Sequence, residues 1–215
     1  MKGALKMKHK MLVLGVILSC FLGLTACGET TEVNTVEGSR YSSDIFTAEA
    51  LKTYMSYLKN EDTSWLYLTG GIGSGKSYFA AALSIDLAKR EIKGKSPICF
   101  INSSKRILEL SELSKQKNDD FKKKLDLYST VPVLVIDDFG HEFKNDFIRD
   151  AIVNEIITTR CNKKLFTIIT SNFSLDEIEV LYSTSNAGAI MSKQIVKTIK
   201  AMCKKEINLG DLKLY

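Results

Sequence analysis

The chain has 215 residues, of which 45% are hydrophobic and 26% are charged, with 13 glycines and two prolines. These proportions are those of an ordinary globular protein, and they exclude wholesale disorder, a collagen-like repeat and a multi-pass membrane protein. The length accommodates one domain and an appendage, because a domain usually takes about 100–200 residues. The net charge is +5, and the positive excess lies at the two ends, in residues 1–35 and 193–215.

The first 27 residues have the pattern of a bacterial export signal. Four lysines among the first ten residues precede an uncharged apolar run, Met11–Ala26, which is followed by Cys27. The run, about 16 residues, is short for a membrane span, which needs about 20. Leu24–Cys27 resembles a lipobox, so residues 1–27 are predicted to be a signal-peptide-like segment, with an uncleaved anchor or a buried helix as the alternative. The polar residues 28–45 are predicted to be a linker.

From residue 46 onward, short apolar runs alternate with longer amphipathic stretches, which is typical of βαβ units around a mostly parallel sheet. In chain order the pattern predicts a helix over 47–60, a strand at Trp65–Thr69, a helix over 76–90, a strand at Ile98–Asn102, helical segments within 104–128, a strand at Val131–Ile136, a helix over 145–160, a strand at Leu165–Thr170, and helices over 174–182 and 189–205. Residues 46–215 are therefore predicted to form one α/β domain.

A glycine-rich loop follows the first predicted strand directly. It matches the pattern G-x-x-x-x-G-K-S with Gly70, Gly71, Ile72, Gly73, Ser74, Gly75, Lys76 and Ser77. A loop of this kind between a strand and a helix binds nucleotide phosphates, because glycines permit positive φ and let backbone N–H groups close around phosphate oxygens. Lys76 is predicted to reach the β- and γ-phosphates and Ser77 to coordinate Mg²⁺, beside a helix N-terminus that favours anions. The predicted cofactors are ATP and Mg²⁺.

Polar residues also follow the next buried strands. Asp137 and Asp138 end the apolar run Val133–Ile136, at the sheet edge where doubly wound folds bind ligands. Asp137 is predicted to hold Mg²⁺ directly or through water, and Asp138 to polarise the attacking water; Glu142 is an alternative for the second role. Asn172, after the following strand, is predicted to orient the same water, with a turn or helix N-cap as the alternative.

The ordered set of motifs resembles a known family. Residues 65–215 are similar to the AAA+ ATPases of the DnaC/DnaI helicase-loader group and their IstB-like transposition relatives, through Gly70–Tyr78, Val133–Gly140, Thr170–Asn172 and Ala201–Gly210. The resemblance implies an AAA+-type P-loop NTPase fold, a three-layer sandwich with a mostly parallel five-stranded sheet, and it makes Asn172 the family's sensor 1. It also implies two partners, the replicative DNA helicase and the single-stranded DNA that receives it, and allows self-association.

The resemblance also shows which family residues are replaced. In the family an R-I-V-E-R-I pattern lies on the C-terminal helix, and its second arginine acts on the nucleotide of a neighbouring subunit; here Gln194 and Thr198 stand at the two arginine positions. The terminal Y-R of the family, sensor 2, corresponds to Leu212 and Lys213, so Lys213 is the predicted catalytic cation without the arginine fork. Because an arginine finger contributes about 10³–10⁵ in rate in other P-loop enzymes, weak hydrolysis is expected.

The lysines near the C-terminus have helical spacing. A solvated helix face, opposite an inward face of Met191, Ile195, Ile199 and Met202, is the favoured interpretation. The alternatives are a substitute for the arginine finger or a contact with phosphates of single-stranded DNA. The lysines at positions i, i+4, i+7 and i+11 are Lys193, Lys197, Lys200 and Lys204.

The two ends of the chain indicate different compartments. The export signal would carry the domain across the membrane, away from ATP. In contrast, the domain has three cysteines, Cys99, Cys161 and Cys203. Because an odd number cannot all pair in disulfides, they indicate a reducing compartment. A cytoplasmic ATPase core is predicted, with a cell-membrane lipoprotein anchored through Cys27 as the alternative. The predicted function is that of an ATP-binding, helicase-loader-like ATPase in DNA replication. An IstB-like transposition helper and a lipid-anchored surface protein with a vestigial nucleotide site remain open.

Overall fold

The computed structural model of the chain describes residues 48–59, 64–90, 98–116, 119–183 and 185–210. The signal-like segment 1–27, the linker 28–45, Cys27 and Lys213 lie outside the described residues. Among the helices that the structure describes, none is both long enough and apolar enough to cross a bilayer.

One or two helices separate successive strands along the chain, as predicted from the hydrophobic pattern. The helices and strands are α1 Ala48–Leu58, β1 Trp65–Thr69, α2 Lys76–Arg90, β2 Ile98–Asn102, α3 Ser103–Leu113, α4 Asp120–Thr130, β3 Val133–Asp137, a π-helical turn Ile148–Val153 that continues into α5 Asn154–Asn162, β4 Phe166–Thr170, α6 Leu175–Tyr182, α7 Asn186–Met202 and β5 Cys203–Asn208. The four predicted strands are confirmed, and β1 and β2 have the predicted bounds.

The strands form one five-stranded sheet in the order β2-β3-β4-β1-β5. All four neighbouring pairs are parallel, so the predicted five-stranded parallel sheet is confirmed. Because β4 lies between β1 and β3, the loops that follow these three strands are neighbours at the carboxyl edge of the sheet. Ligands of open parallel sheets bind at this edge.

The fifth strand shows where the sequence-based prediction was wrong. The helix predicted over 189–205 ends at Met202, and Cys203–Asn208 forms β5 at the edge of the sheet beside β1. Lys204 therefore lies in a strand and does not share a helix face with Lys193, Lys197 and Lys200. Charged side chains are common on edge strands, where they discourage pairing with other chains.

Two apolar clusters hold the sheet between two layers of helices. Tyr67 and Ile136 belong to a cluster that includes residues of α3 to α7, whereas Leu68 and Val135 belong to a cluster with α1 and α2. Successive residues of one strand enter different clusters because their side chains point to opposite faces of the sheet. The predicted three-layer α/β sandwich is confirmed.

A fully buried arginine joins three segments on one side of the sheet. Arg160, in α5, donates hydrogen bonds to Thr167 Oγ1 at 2.8 Å and to the carbonyl oxygens of Tyr128, Val131 and Phe166 at 3.0, 2.8 and 2.6 Å. Burial lowers the pKa of Arg160 to about 10, so the guanidinium stays charged at neutral pH. The end of α4 and the start of β4 are thereby tied to α5.

Candidate nucleotide site

The glycine-rich loop between β1 and α2 curls around the amine of Lys76. Gly70, Gly73 and Gly75 have φ angles of 141°, 80° and 86°, which residues with a side chain rarely adopt. Lys76 Nζ donates hydrogen bonds of 2.8 Å to the carbonyl oxygens of Gly70 and Gly71, and Lys76 is buried. The cation is therefore held inside the loop, where it can meet an anionic ligand.

Gly70 lies where Ser74 of the same loop and the segment after β5 approach its backbone closely. A Cβ atom at this position would be 2.8 Å from Ser74 Oγ and 2.9 Å from the carbonyl oxygen of Gly210. Leu209 N donates a hydrogen bond of 2.9 Å to Thr69 O, which holds the segment after β5 against the start of the loop. Glycine is thus required at position 70 for space as well as for its backbone angles.

Ser77 and Asp137 supply the oxygen atoms predicted to hold Mg²⁺. Ser77 is the second residue of α2 and is exposed, and Asp137 ends β3, two strands away from β1 in the sheet. Hydroxyl and carboxylate oxygens are the ligands that Mg²⁺ prefers, and the ion usually completes its shell with phosphate oxygens and water. The two side chains fit this chemistry.

Thr170, the last residue of β4, fixes the aspartate pair. Its hydroxyl donates to Asp137 Oδ1 at 2.7 Å and accepts from the backbone N–H of Asp138 at 3.0 Å. Its carbonyl oxygen accepts from the N–H of Phe139 at 2.8 Å. Asp138 has a φ angle of +61°, a conformation in which aspartate and asparagine are enriched among residues with side chains.

Ser171 positions the segment that carries Asn172. Its N–H donates to Leu68 O in β1 at 2.9 Å, and its hydroxyl donates to Phe139 O at 2.6 Å. The same hydroxyl accepts from the N–H of Phe173 at 3.0 Å. The residue before Asn172 is therefore hydrogen-bonded to the strand that precedes the P-loop and to the turn after β3. These bonds fix the backbone that carries the Asn172 side chain.

His141 is a site residue that the sequence reasoning did not single out. Its Nε2 atom lies 3.0 Å from Asn172 Nδ2 and 3.5 Å from Asp138 Oδ1. The structure therefore brings together Asp138 and Asn172, the two residues predicted to act on the attacking water, with the imidazole beside both. The sequence signal was weak, since His141 follows the aspartate pair in the same loop and lies 31 positions before Asn172.

Glu142, the alternative candidate for polarising water, is buried. Its Oε2 atom accepts hydrogen bonds from Ser103 Oγ at 2.7 Å and from the N–H of Gly140 at 3.0 Å, and Glu142 is 1% exposed. These contacts join the turn after β3 to the start of α3. Burial raises the pKa of Glu142, although the two hydrogen bonds oppose that effect. The arrangement favours a structural role for Glu142 and leaves Asp138 as the accessible carboxylate.

The raised pKa of Glu142 predicts a specific dependence of stability on pH. Protonated Glu142 stabilises the folded state. This contribution to the free energy of unfolding is complete below the unfolded pKa of about 4.3, and it is lost as pH rises through the higher folded pKa. Glu142→Gln cannot ionise, so the unfolding free energy of the variant minus that of the wild type should increase with pH. Urea unfolding at several pH values from about 4.5 to about 8 measures this difference. A difference that is constant or falls with pH would contradict the assignment.

Helix α7 carries Gln194 and Thr198, the two positions predicted from the resemblance to replace arginines. Gln194 is exposed, and the hydroxyl of Thr198 donates to Gln194 O at 2.9 Å. Lys200 Nζ forms an ion pair with Asp176 Oδ1 at 2.6 Å, whereas Lys193 is exposed without an ion pair to any described residue. The Thr198 hydroxyl is therefore engaged in a hydrogen bond within its own helix. For Lys193 and Lys200, we keep the interpretation that they lie on a solvated helix face.

Three of the four residues predicted for the inward face of α7 pack into the core, whereas Met191 is half-buried and belongs to neither apolar cluster. Ile195 and Ile199 are fully buried, and Met202 is partly buried against the same cluster. Ser185 caps the helix, because its hydroxyl accepts from the N–H of Gly188 at 2.9 Å.

Comparisons with known proteins agree with this architecture. The family described as "IstB-like ATP binding protein" matches residues 30–205. The replicative helicase loader DnaI of Bacillus subtilis (strain 168) is 30% identical over 171 residues, which are 80% of this chain and 51% of that protein. The chain thus spans about half the length of this curated relative.

Two solved structures are similar over most of their length. The crystal structure of DnaI has a TM-score of 0.64 and 26% identity, over 79% of this chain and 87% of that chain. The crystal structure of the DnaC helicase loader has a TM-score of 0.61 and 27% identity, over 74% of this chain and 88% of that chain. The fold is that of an AAA+-type P-loop NTPase, and the chain belongs to the nucleotide-binding family of IstB-like ATP binding proteins.

Proposed function

We propose that the chain binds Mg·ATP and acts in DNA replication as a helicase-loader-type ATPase, which places the replicative helicase on single-stranded DNA. The observation that carries the loader role is the 30% identity to DnaI over 80% of this chain. The sheet edge supports the ATPase part, since the complete P-loop, the aspartate pair and Asn172 meet there in strand order. Residues 46–215 form the ATPase domain in this proposal.

Each site residue has a defined task in the proposal. Bound Mg·ATP supplies a γ-phosphoryl group whose charge the ion helps to neutralise. Lys76 neutralises phosphate charge from within the P-loop, and Ser77 and Asp137 hold the ion. Asp138 polarises the attacking water and Asn172 orients it.

Hydrolysis is proposed to be slow. Gln194 and Thr198 occupy the arginine positions of the family, and neither side chain carries the positive charge that stabilises the transition state. Lys213 is the proposed sensor 2 cation. Self-association would bring a neighbouring α7 to the nucleotide, but it would not restore an arginine there.

The loader role is tested with the full chain and the replicative helicase of the same organism. The expected result is that the chain and Mg·ATP together increase the amount of helicase retained on single-stranded DNA, and that Lys76→Ala removes this increase. Equal retention with the wild type, with Lys76→Ala and without the chain would contradict the loader role.

A transposition helper is the second candidate, because the matching family is the IstB-like one. It predicts ATP-dependent binding to a transposase and none to the helicase, so the same retention assay separates the two functions.

The location proposed for the ATPase is the cytoplasm. Labelled palmitate incorporated into the wild-type chain and lost in Cys27→Ser would instead favour the lipid-anchored alternative.

A further inference from the structure

His141 occupies a defined position in the loop that follows β3. Its ring packs on Phe173, with 4.9 Å between the ring centroids and 37° between the ring planes. Its side chain is 38% exposed, similar to the 41% of Asp138. The packing on Phe173 orients the imidazole, and the partial exposure leaves the ring accessible from the ligand edge of the sheet.

Nε2 of His141 is within reach of two site residues at once. It lies 3.0 Å from Asn172 Nδ2 and 3.5 Å from Asp138 Oδ1. Without a proton, Nε2 accepts a hydrogen bond from the Asn172 amide; with a proton, it can donate toward the Asp138 carboxylate. In the neutral ring with Nε2 unprotonated, His141 thus holds the Asn172 amide by a hydrogen bond while Nε2 lies 3.5 Å from the Asp138 carboxylate.

We propose that His141 is a positioning residue for ATP hydrolysis, which holds the Asn172 amide beside the Asp138 carboxylate. The proposal rests on the function proposed above, in which these two side chains act on the attacking water. The backbones of both residues are fixed by Thr170 and Ser171. His141 Nε2 lies within 3.5 Å of polar side-chain atoms of both residues.

Two substitutions distinguish the role of the His141 ring from the role of its Nε2 atom. His141→Phe keeps an aromatic ring that can pack on Phe173 but removes Nε2. His141→Gln removes the ring but can place a polar atom near the position of Nε2. If the nitrogen positions the two side chains, His141→Phe lowers kcat for ATP by about tenfold to a hundredfold, the size of effect expected from a misplacement of up to about 1 Å.

The remaining kinetic results distinguish positioning from binding or folding. We expect His141→Phe to leave the KM for ATP and the midpoint of thermal unfolding close to those of the wild type, and His141→Gln to recover most of kcat. Equal kcat values for His141→Phe and the wild type would overturn the proposal, as would equal losses in the Phe and Gln variants. Wild-type chain that binds Mg·ATP without any turnover would also overturn it, whereas failure to bind Mg·ATP would overturn the proposed function.

The contact itself is tested without activity. His9 and His141 are the two histidines of the chain, so the imidazole ¹⁵N signals of the full chain are assigned with His141→Gln. At alkaline pH, Asn172→Ala should change the Nε2 shift of His141, because the atom loses a hydrogen-bond donor. An unchanged shift would show that the contact with Asn172 is absent in solution and would overturn the proposal.

Discussion

Asp138→Asn should lower the ATP turnover number of the full chain by about 10²–10⁴-fold, the usual contribution of a general base, and leave Mg·ATP binding within a few-fold of the wild type. The amide has nearly the shape of the carboxylate but cannot polarise water in the same way. Asparagine also tolerates the φ angle of +61° at this position. The backbone N–H of residue 138 keeps its bond to Thr170 Oγ1, so the turn should be preserved. Steady-state turnover and equilibrium titration with Mg·ATP measure the two effects.

Glu142→Gln is the matched control for the aspartate variant. Glu142 is buried against Ser103 and Gly140, so removing its charge should change turnover far less than Asp138→Asn does. Unchanged turnover in Asp138→Asn together with a large loss in Glu142→Gln would assign the water-polarising role to Glu142 and contradict our assignment.

Arg160→Ala should lower the free energy of unfolding by about 3–5 kcal/mol. The substitution leaves a cavity and removes the donor from three backbone carbonyl groups, those of Tyr128, Val131 and Phe166. The expected loss is large because a buried carbonyl group without a donor costs much more than one exposed to water. Urea unfolding followed by circular dichroism measures the change.

Arg106→Ala is the control on the same face of the sheet. Arg106 is partly exposed and pairs with Glu109 in the same helix at 2.8 Å, a type of contact that contributes below about 1 kcal/mol. A loss for Arg160→Ala no larger than that for Arg106→Ala would contradict the role given to the buried guanidinium.

The strands that could be predicted are those whose sequence is apolar on both faces. Central parallel strands such as β3 are covered by helices on either side and read as continuous apolar runs. The predicted start of β3 was two residues early, since Val131 N still bonds to Leu127 O at the end of α4. β5 could not be predicted in this way, because its sequence Cys203–Asn208 contains Lys204, which continues the helical spacing of the lysines in α7.

Those parts of the candidate nucleotide site that lie within one short stretch of sequence could be predicted. The P-loop and the aspartate pair each form one short segment next to a strand, and the strand order then brings them to one edge. The contact of His141 with Asn172 and that of Glu142 with Ser103 join residues 31 and 39 positions apart. Such contacts depend on strand order and loop conformation, so no local pattern indicated them.

Equilibrium titration of the full chain with Mg·ATP, beside Lys76→Ala, tests the central claim most directly. The P-loop holds the Lys76 amine on the carbonyl groups of Gly70 and Gly71, where a phosphate can receive its charge-assisted hydrogen bond. We predict saturable binding of one nucleotide per wild-type chain and an affinity lowered by at least about tenfold in Lys76→Ala, since a hydrogen bond to a charged group contributes about 1.5–3 kcal/mol. Absence of saturable binding, or equal affinity in the two proteins, would contradict the assignment of this loop as a nucleotide site.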